Sequence, residues 1–133
     1  MMSDTETTVR SLYAALERGD AAAALALFDP HIKWTEAKSS PYYQGTVEGV
    51  DAVVKTVLEP IANDFDKFVI EPVQFVTESD RCAAFGLYSG PVRATGRHLE
   101  ADFVHLWTVR DGRLTSFRQY TDGAAWIEAF AKR

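Results

Sequence analysis

A single carboxylate, Glu36, ends a short apolar stretch in the first third of the chain, "IKWTE". In a strand, residues two apart point to the same face, so Glu36 would share its face with Ile32 and Trp34. Within this stretch no Lys or Arg lies on that face, so burial would dehydrate the carboxylate without supplying a counter-charge and would raise its pKa. A general base or acid near neutral pH needs that property. The alternative is that Glu36 lies at the strand end and reaches water.

A second set of polar side chains lies among aromatic residues in segment 102–126. It comprises His105, Arg118, Gln119 and Asp122. These groups either decorate a face that is in contact with water or form the polar tips of one wall of a pocket. For His105, the alternative to a catalytic role is a hydrogen-bonded histidine in the core or at an interface.

Other kinds of site are not indicated. His31, His98 and His105 lack the spacing of metal ligands, and Cys82 is the only cysteine. The glycines form no phosphate-binding loop. We therefore expect no metal and no other cofactor.

Composition limits the partners and the location. The net charge is −5 with no basic block, which argues against nucleic acid or an anionic membrane as partner. No apolar run approaches the roughly 18 residues of a membrane span. The N-terminus is polar and unlike a signal peptide, and one cysteine excludes an internal disulfide. We therefore expect a cytoplasmic protein.

Helices are predicted before the sheet. Ser3 and Glu6 fit a capping box, and Asp20 fits the cap of a second helix. After a loop with Tyr42 and Tyr43, apolar residues at helical spacing in 50–61 predict a third helix, which Pro60 would bend or end.

Strands follow, at about 68–77, 81–94, 99–109 and 113–121. Helices first and a meandering sheet afterwards predict an α+β fold, in which a curved, mixed and mostly antiparallel sheet carries the N-terminal helices on its concave face. Such a sheet encloses a cone-shaped pocket, which suits a small, mostly apolar molecule.

The last two strands predict a hairpin around a tight turn at 111–112. In an ideal hairpin, His105 pairs with Arg118 and lies on the face opposite to Gln119. Both faces are largely apolar, and the helices of one chain cover only one of them. We therefore expect a second copy of the chain to cover the other face, in a homodimer.

Five motifs carry a resemblance to a known family: "LYAALERGDAAAALALF", "IKWTEA", "PYYQGTVEGVDAVV", "TGRHLEADFVHLWTVRDGRL" and "FRQYTD". With them the chain resembles the nuclear transport factor 2-like superfamily, and within it the SnoaL-like, ketosteroid isomerase-related branch. The resemblance covers nearly all of residues 5–130 and implies one domain over residues 1–133. It does not imply one reaction, because this superfamily includes isomerases, cyclases, dehydratases, epoxide hydrolases and non-catalytic binders.

In the ketosteroid isomerases, the general-base Asp occupies a position that Glu36 resembles. Those enzymes also hold the enolate oxygen with a Tyr on the first helix and a protonated Asp on the penultimate strand. Here these positions resemble Leu12 and Val104, which donate no hydrogen bond. Tyr13 is adjacent, but one helical step turns it about 100° away. The resemblance therefore disfavours a steroid isomerase, which needs that stabilisation.

In the polyketide cyclases of the SnoaL type, a His-containing strand resembles "VHLWTVRDGR", and His105 falls on the catalytic His. The base of those enzymes, an Asp on the last strand, falls on Gln119, and an amide cannot abstract a proton. Asp122 would replace it only if a bulge turned it inward. A bulge would also be needed to bring His105 and Gln119 to one face.

Three hypotheses follow. The first is a cofactor-free acid/base enzyme, of isomerase, cyclase or dehydratase type, acting on a small ring-bearing or carbonyl substrate with Glu36 and His105 as catalytic residues. The second is a ligand-binding protein without turnover, and the third is a dimerisation module. The pocket is expected to be lined by Tyr13 at its edge, Trp34, Tyr43, Val54, Leu58, Leu106, Phe117, Gln119 and Asp122.

Overall fold

Helices precede a single sheet in the computed structural model, which describes residues 3–132. The helices are α1 (Asp4–Glu17), α2 (Ala21–Ala26), α3 (Val50–Val53), α4 (Glu59–Asp64) and α5 (Gly123–Phe130), with a π-helical segment (Val54–Leu58) between α3 and α4. The strands are β1 (Phe28–Thr35), β2 (Thr46–Glu48), β3 (Val69–Glu78), β4 (Arg81–Pro91), β5 (His98–Arg110) and β6 (Arg113–Thr121). None of the helices in residues 3–132 is long and apolar enough to cross a membrane.

The sheet has the order β2-β1-β6-β5-β4-β3. All neighbouring strands are antiparallel except β1 and β6, which are parallel. Helix α1 packs across β3, β4 and β5 on one face, which we call the inner face; the opposite one is the outer face. The predicted α+β class with a mixed, mostly antiparallel curved sheet is therefore confirmed.

Caps fix the first two helices. The Ser3 hydroxyl accepts the Glu6 backbone N–H at 3.1 Å, and the Asp20 carboxylate accepts the Ala23 N–H at 3.0 Å, which confirms both N-caps. The Glu6 carboxylate accepts a hydrogen bond from Thr77 on β3 at 3.0 Å. This contact ties α1 to the edge of the sheet.

Of the two predicted effects of Pro60 on the third helix, a bend or an end, the end is wrong. Instead of ending there, the helix continues to Asp64, with Pro60 in the first turn of α4. Because helical residues run without a break from Val50 to Asp64, Pro60 lies inside the helix and has no backbone N–H to donate to the preceding turn. The wider π-helical turn at Val54–Leu58 comes just before it, and it is a common irregularity near functional sites.

The register of the β5–β6 hairpin differs from the ideal one. Arg110 pairs with Arg113 and Val109 with Leu114, but Thr108 then pairs with Ser116, so Thr115 is an extra residue. A bulge of this kind shifts every later pair by one. The predicted pairing of His105 with Arg118 is therefore wrong.

Candidate functional site

The bulge at Thr115 decides which side chains of β6 face inward. Beyond it, His105 pairs with Gln119, and Trp107 pairs with Phe117. Residues that are directly opposite in a sheet share a face. The inner face therefore combines the histidine, the amide and two aromatic rings, which the ideal hairpin would have divided between both faces.

Three of these side chains join Tyr13 of α1 and Tyr88 of β4 in one hydrogen-bonded series. We call it the buried polar chain: Trp107, Tyr13, His105, Tyr88 and Gln119. Trp107 Nε1 donates to the Tyr13 hydroxyl at 2.9 Å, and that hydroxyl lies 2.6 Å from His105 Nδ1. On the other side, His105 Nε2 contacts the Tyr88 hydroxyl, which accepts from Gln119 Nε2 at 2.9 Å. All five side chains are buried, so this series is held by its own partners rather than by bulk water.

Glu36 adjoins the end of the buried polar chain. The Ala37 backbone N–H donates to Gln119 Oε1 at 3.0 Å, which fixes the orientation of the amide and directs its NH2 group to Tyr88 and Glu36. The Glu36 carboxylate also accepts from Trp34 Nε1 at 2.9 Å and from the Ser40 hydroxyl at 3.1 Å. It is 5% exposed, so the strand-end alternative, in which it reaches water, is wrong.

Burial governs the acidity of Glu36. Loss of hydration raises the pKa of the carboxyl to about 6, although the hydrogen bonds from Trp34, Ser40 and Gln119 act in the opposite direction. The predicted rise is therefore confirmed, and its cause is the predicted one. A carboxyl with this pKa is largely ionised at neutral pH and still binds a proton readily, as a general base must.

The raised pKa predicts a pH-dependent stability difference between the wild type and Glu36→Gln. The folded chain holds the proton up to about pH 6, whereas the unfolded carboxyl releases it near 4.5. The cost of ionising Glu36 is therefore absent below pH 4.5 and complete above pH 6, where it amounts to roughly 2 kcal/mol. Relative to the wild type, Glu36→Gln should gain that amount in free energy of unfolding between pH 4 and pH 7.

Urea unfolding at both pH values measures this difference, and Glu59→Gln, at an exposed position of α4, is the matched control. Only the change with pH is informative, because the new amide also places an NH2 group among groups that donate to Glu36. A constant difference between Glu36→Gln and the wild type at both pH values would contradict the raised pKa.

The other titratable groups of the site do not change charge near neutral pH. Burial lowers the pKa of His105 to about 3, so its imidazole is neutral. Burial also raises the pKa of Tyr13 and of Tyr88 well above the ordinary value for tyrosine, so both keep their protons. The site therefore offers one base near neutrality, Glu36, and two tyrosine hydroxyls as hydrogen-bond donors.

Aromatic rings occupy the space between α1 and the sheet. The Trp34 and Phe117 rings stack with centroids 3.8 Å apart, and the Tyr13 and His105 rings stack at 5.9 Å. Tyr13 is therefore buried between α1 and the sheet, and its predicted position at the edge of a pocket stays a prediction. The 100° step from Leu12 does not turn Tyr13 away, because both side chains are buried on the broad inner stripe of α1.

Several predicted lining residues lie apart from this cluster. Leu106 pairs with Arg118 on the outer face, so its predicted sharing of a face with Phe117 and Gln119 is wrong. The bulge is the reason, since it moves only the residues of β6. Asp122 is exposed and caps α5 by accepting the Ala125 N–H at 3.4 Å. It is therefore not turned inward, and a helix cap explains its position.

The loop and the third helix contribute differently from expectation. Tyr43 is 40% exposed, whereas its neighbour Tyr42 is buried and donates to the Asp64 carboxylate at 2.9 Å. Val54 and Leu58 are half-buried in the π-helical segment. Their contact with a ligand stays a prediction. Within residues 3–132, no three potential metal-ligating side chains cluster in a way that would hold a metal ion.

Three members of the site are missing from the sequence prediction: Tyr88, Ser40 and Trp107, which the ideal hairpin places on the face opposite to Gln119. Tyr88 follows Ala84 and Gly86 on the inward-facing positions of β4, and this pair of small residues before a tyrosine was the available signal. Ser40 follows Glu36 by four residues in a turn-rich loop, and nothing in that loop marks a contact between them.

The fold and site define a class of protein: a helix-covered curved sheet with polar groups buried beneath the helices. The sequence of residues 9–117 matches the family model of the SnoaL-like domain. The chain therefore belongs to the SnoaL-like domain family, within the nuclear transport factor 2-like superfamily.

Solved structures agree with this assignment. An NTF2-like protein from Burkholderia thailandensis is 30% identical, with 98% of this chain and 99% of that chain covered and a TM-score of 0.90. An NTF2-like protein of unknown function from Burkholderia pseudomallei is 29% identical over 98% and 99% of the chains, with a TM-score of 0.87. TerC, co-crystallised with polyporic acid, is 27% identical over 96% and 98%, with a TM-score of 0.82. No curated protein matches the chain.

Proposed function

We propose that the protein is a cofactor-free acid/base enzyme that removes a proton from carbon in a small, mostly apolar, ring-bearing carbonyl compound. The observation that carries this proposal is Glu36, a buried carboxyl whose pKa of about 6 suits a general base. The Tyr88 hydroxyl lies close enough to Glu36 for the carboxylate to raise its pKa, and a hydroxyl can donate a hydrogen bond to a developing oxyanion. The co-crystallisation of the similar TerC with polyporic acid supports an organic ligand.

The roles follow from the charges. Glu36 is the base, and neutral His105 is a hydrogen-bonding group between the tyrosines rather than an acid, since its pKa is about 3. Gln119 donates from its NH2 group to Tyr88 at 2.9 Å and also lowers the pKa of Glu36. An isomerisation, a cyclisation and a dehydration can all begin with the same proton abstraction, so the base defines the first step and not the product.

The experiment exploits that shared first step. The protein is incubated in D2O with a panel of cyclic ketones and hydroxylated quinones, and mass spectrometry measures deuterium incorporation at carbon. Incorporation above that with Glu36→Gln and above buffer supports the enzyme. If ligands in the panel bind but none exchanges faster than in buffer, the enzyme proposal is wrong.

A non-catalytic ligand-binding protein is the second candidate. It is favoured by the full set of hydrogen bonds to Glu36, from Trp34, Ser40 and Gln119, because a satisfied acceptor is also typical of a structural carboxylate. Binding in the panel without exchange is the result that this candidate predicts.

We also propose that two copies of the chain associate through the outer face. A groove of about 630 Å³ lies there, and its apolar lining includes Val73, Phe85, Leu87, Val104 and Tyr120. Val73 is 74% exposed and Tyr120 51%, and apolar area of this kind is typical of an interface. The helices pack on the opposite face of the sheet.

Light scattering at micromolar concentration should therefore give twice the chain mass of 14.8 kDa. Phe85→Glu should give the monomer mass, because a charge in the groove would be desolvated on association. Leu16→Glu on α1 is the matched control, since Leu16 is 39% exposed and Phe85 38%. A wild-type molar mass equal to that of one chain would contradict this proposal.

A further inference from the structure

Carboxylates gather at one end of the groove on the outer face. Asp102 pairs with Leu87 on β4, and Leu87 pairs with Glu71 on β3, so these side chains form one row across the strands. Asp122 lies beside this row, since its backbone N–H donates to the Asp102 carbonyl at 3.2 Å. All three acidic residues are exposed. We call this set the acidic end: Glu71, Asp102 and Asp122.

Arg118 lies on the same face and has no counter-charge beside it. It pairs with Leu106 on β5 and with Thr35 on β1, neither of which is acidic. The side chain is exposed, and its Cζ atom lies 5.8 Å from the centroid of the Tyr120 ring. Within residues 3–132, Arg118 forms no ion pair. Its charge is therefore available to an acidic group outside its own chain.

Other cations on this face are already opposed by acids. Lys33 on β1 is directly opposite Glu48 on β2, and Arg81 on β4 is directly opposite Glu78 on β3. Opposite charges in such cross-strand pairs attract each other. These two pairs therefore contribute less to any attraction between chains than Arg118 does.

The acidic end and Arg118 are too far apart to pair within one chain. Four positions along β5 separate Asp102 from the pairing partner of Arg118, which is about 13 Å at roughly 3.3 Å per residue. Between them lies an apolar row, in which Phe85 pairs with Val104 and Val104 with Tyr120. We call this row the central row. Opposite charges thus flank the apolar row on its two sides.

This arrangement of charges distinguishes two ways of packing the same face against itself. Two such copies are related by a two-fold axis that lies between the sheets and parallel to them. If the axis runs along the strands, the acidic end of one copy faces the acidic end of the other. If the axis runs across the strands at the central row, the two sides exchange, and Arg118 faces the acidic end of the other copy. Like charges that meet across an interface oppose association, so the second orientation is favoured.

We propose that two copies of the chain associate with the two-fold axis across the strands, so that Arg118 of each copy binds Asp102 and Asp122 of the other. This inference rests on the proposed association through the outer face. The central row then packs against its own copy on the axis, and both guanidinium groups gain carboxylate partners. A second copy fits this surface because the face itself supplies both members of each ion pair.

Charge reversal tests the orientation, with sedimentation equilibrium at low salt to measure the dissociation constant of the dimer. Arg118→Asp should raise this constant roughly 10- to 100-fold, because a carboxylate would then face the acidic end across the interface. Asp102→Arg should raise it similarly, because two cations would meet. Asp102 is the better choice for reversal, since Asp122 also caps α5.

A mixture of these two variants gives the sharper result. In the mixed dimer, one copy has carboxylates at both positions and the other has guanidinium groups at both, so the contacts across the interface are favourable again. Native mass spectrometry should show the mixed dimer as the main species at concentrations where each variant alone is mostly monomeric. The matched control mixes Arg118→Asp with Glu59→Arg, which adds the same charge at an exposed position of α4. There the mixed dimer should not exceed its statistical share.

Two results would overturn the orientation. One is a wild-type dissociation constant for Arg118→Asp, with circular dichroism showing a folded chain. The other is a mixture of Arg118→Asp and Asp102→Arg in which the mixed dimer is not enriched. If Arg118→Asp does not fold, Arg118→Gln replaces it. Loss of the charge alone should raise the dissociation constant roughly 3- to 10-fold, because two exposed ion pairs are lost, and an unchanged constant would again overturn the orientation.

The failure of this inference is distinguishable from the failure of the proposed association. If the wild type has the mass of two chains, Phe85→Glu has the mass of one, and Arg118→Asp associates as the wild type does, the interface stands and its orientation is wrong. If the wild type has the mass of one chain, the association itself is wrong.

Discussion

Glu36→Gln should lower the rate of solvent-deuterium incorporation into a carbonyl substrate by roughly 10²- to 10⁴-fold, the contribution typical of a positioned general base. Glutamine keeps the size of the side chain and can still accept from Trp34 or Ser40, but its amide cannot take a proton from carbon. In the wild type, the rate at limiting substrate should rise as pH increases through about 6, because Glu36 ionises there.

Two controls separate chemistry from structure. Glu36→Asp keeps a carboxylate but withdraws it by one methylene, so it should retain more activity than Glu36→Gln. Glu59→Gln, on the exposed side of α4, should leave the rate unchanged. If Glu36→Gln exchanges deuterium at the wild-type rate, the carboxylate is a structural acceptor and the base is another group.

His105→Phe should lower the free energy of unfolding at pH 7 by roughly 2–4 kcal/mol, since it leaves buried polar groups without a partner. Phenylalanine retains a ring that can stack on Phe103, whose centroid lies 4.0 Å from that of His105. It cannot accept the hydroxyl proton of one tyrosine or donate to the oxygen of the other. His105→Gln, which keeps one acceptor and donors, should lose less stability.

The loss caused by His105→Phe should shrink in acid. The unfolded histidine takes a proton below about pH 6.5, whereas the folded one stays neutral down to about 3. Stability that depends on neutral His105 is therefore complete above pH 6.5 and is lost as pH falls, by about 3 kcal/mol at pH 4. Urea unfolding at pH 4 and pH 7 measures this change. A loss that is the same at both pH values would mean that His105 is not buried as a neutral group.

Much of the fold was predictable because its signals are local. The last strand is predicted at 113–121 and β6 is Arg113–Thr121, since the two-residue turn at 111–112 marks its beginning and alternation continues along it. The parallel pairing of β1 with β6 is not local. It joins Trp34 to Phe117 across 82 intervening residues, and no short-range pattern in either strand indicates it.

The site was predicted in composition better than in arrangement. Glu36 on the apolar face with Trp34 followed from period-two alternation, and its raised pKa followed from that face. The position of Gln119 did not follow, because an ideal hairpin takes its register from the turn. In the structure, β6 also makes hydrogen bonds to distant parts of the chain, among them the bond from the Leu114 N–H to the Leu27 carbonyl at 2.8 Å. One extra residue reconciles the turn with the pairing to β1.

That extra residue, Thr115, makes the identity of the site depend on the number of residues in β6 as well as on their types. The insertion determines which face of the sheet each later side chain of β6 lies on. A relative with the same sequence but without this residue would keep the fold, and the β6 side chains that point outward here would point inward. An alignment that places a gap at the turn would then equate inward with outward residues. Positions in β6 are comparable between relatives only when they are counted from the pairing with β1, and not from the turn.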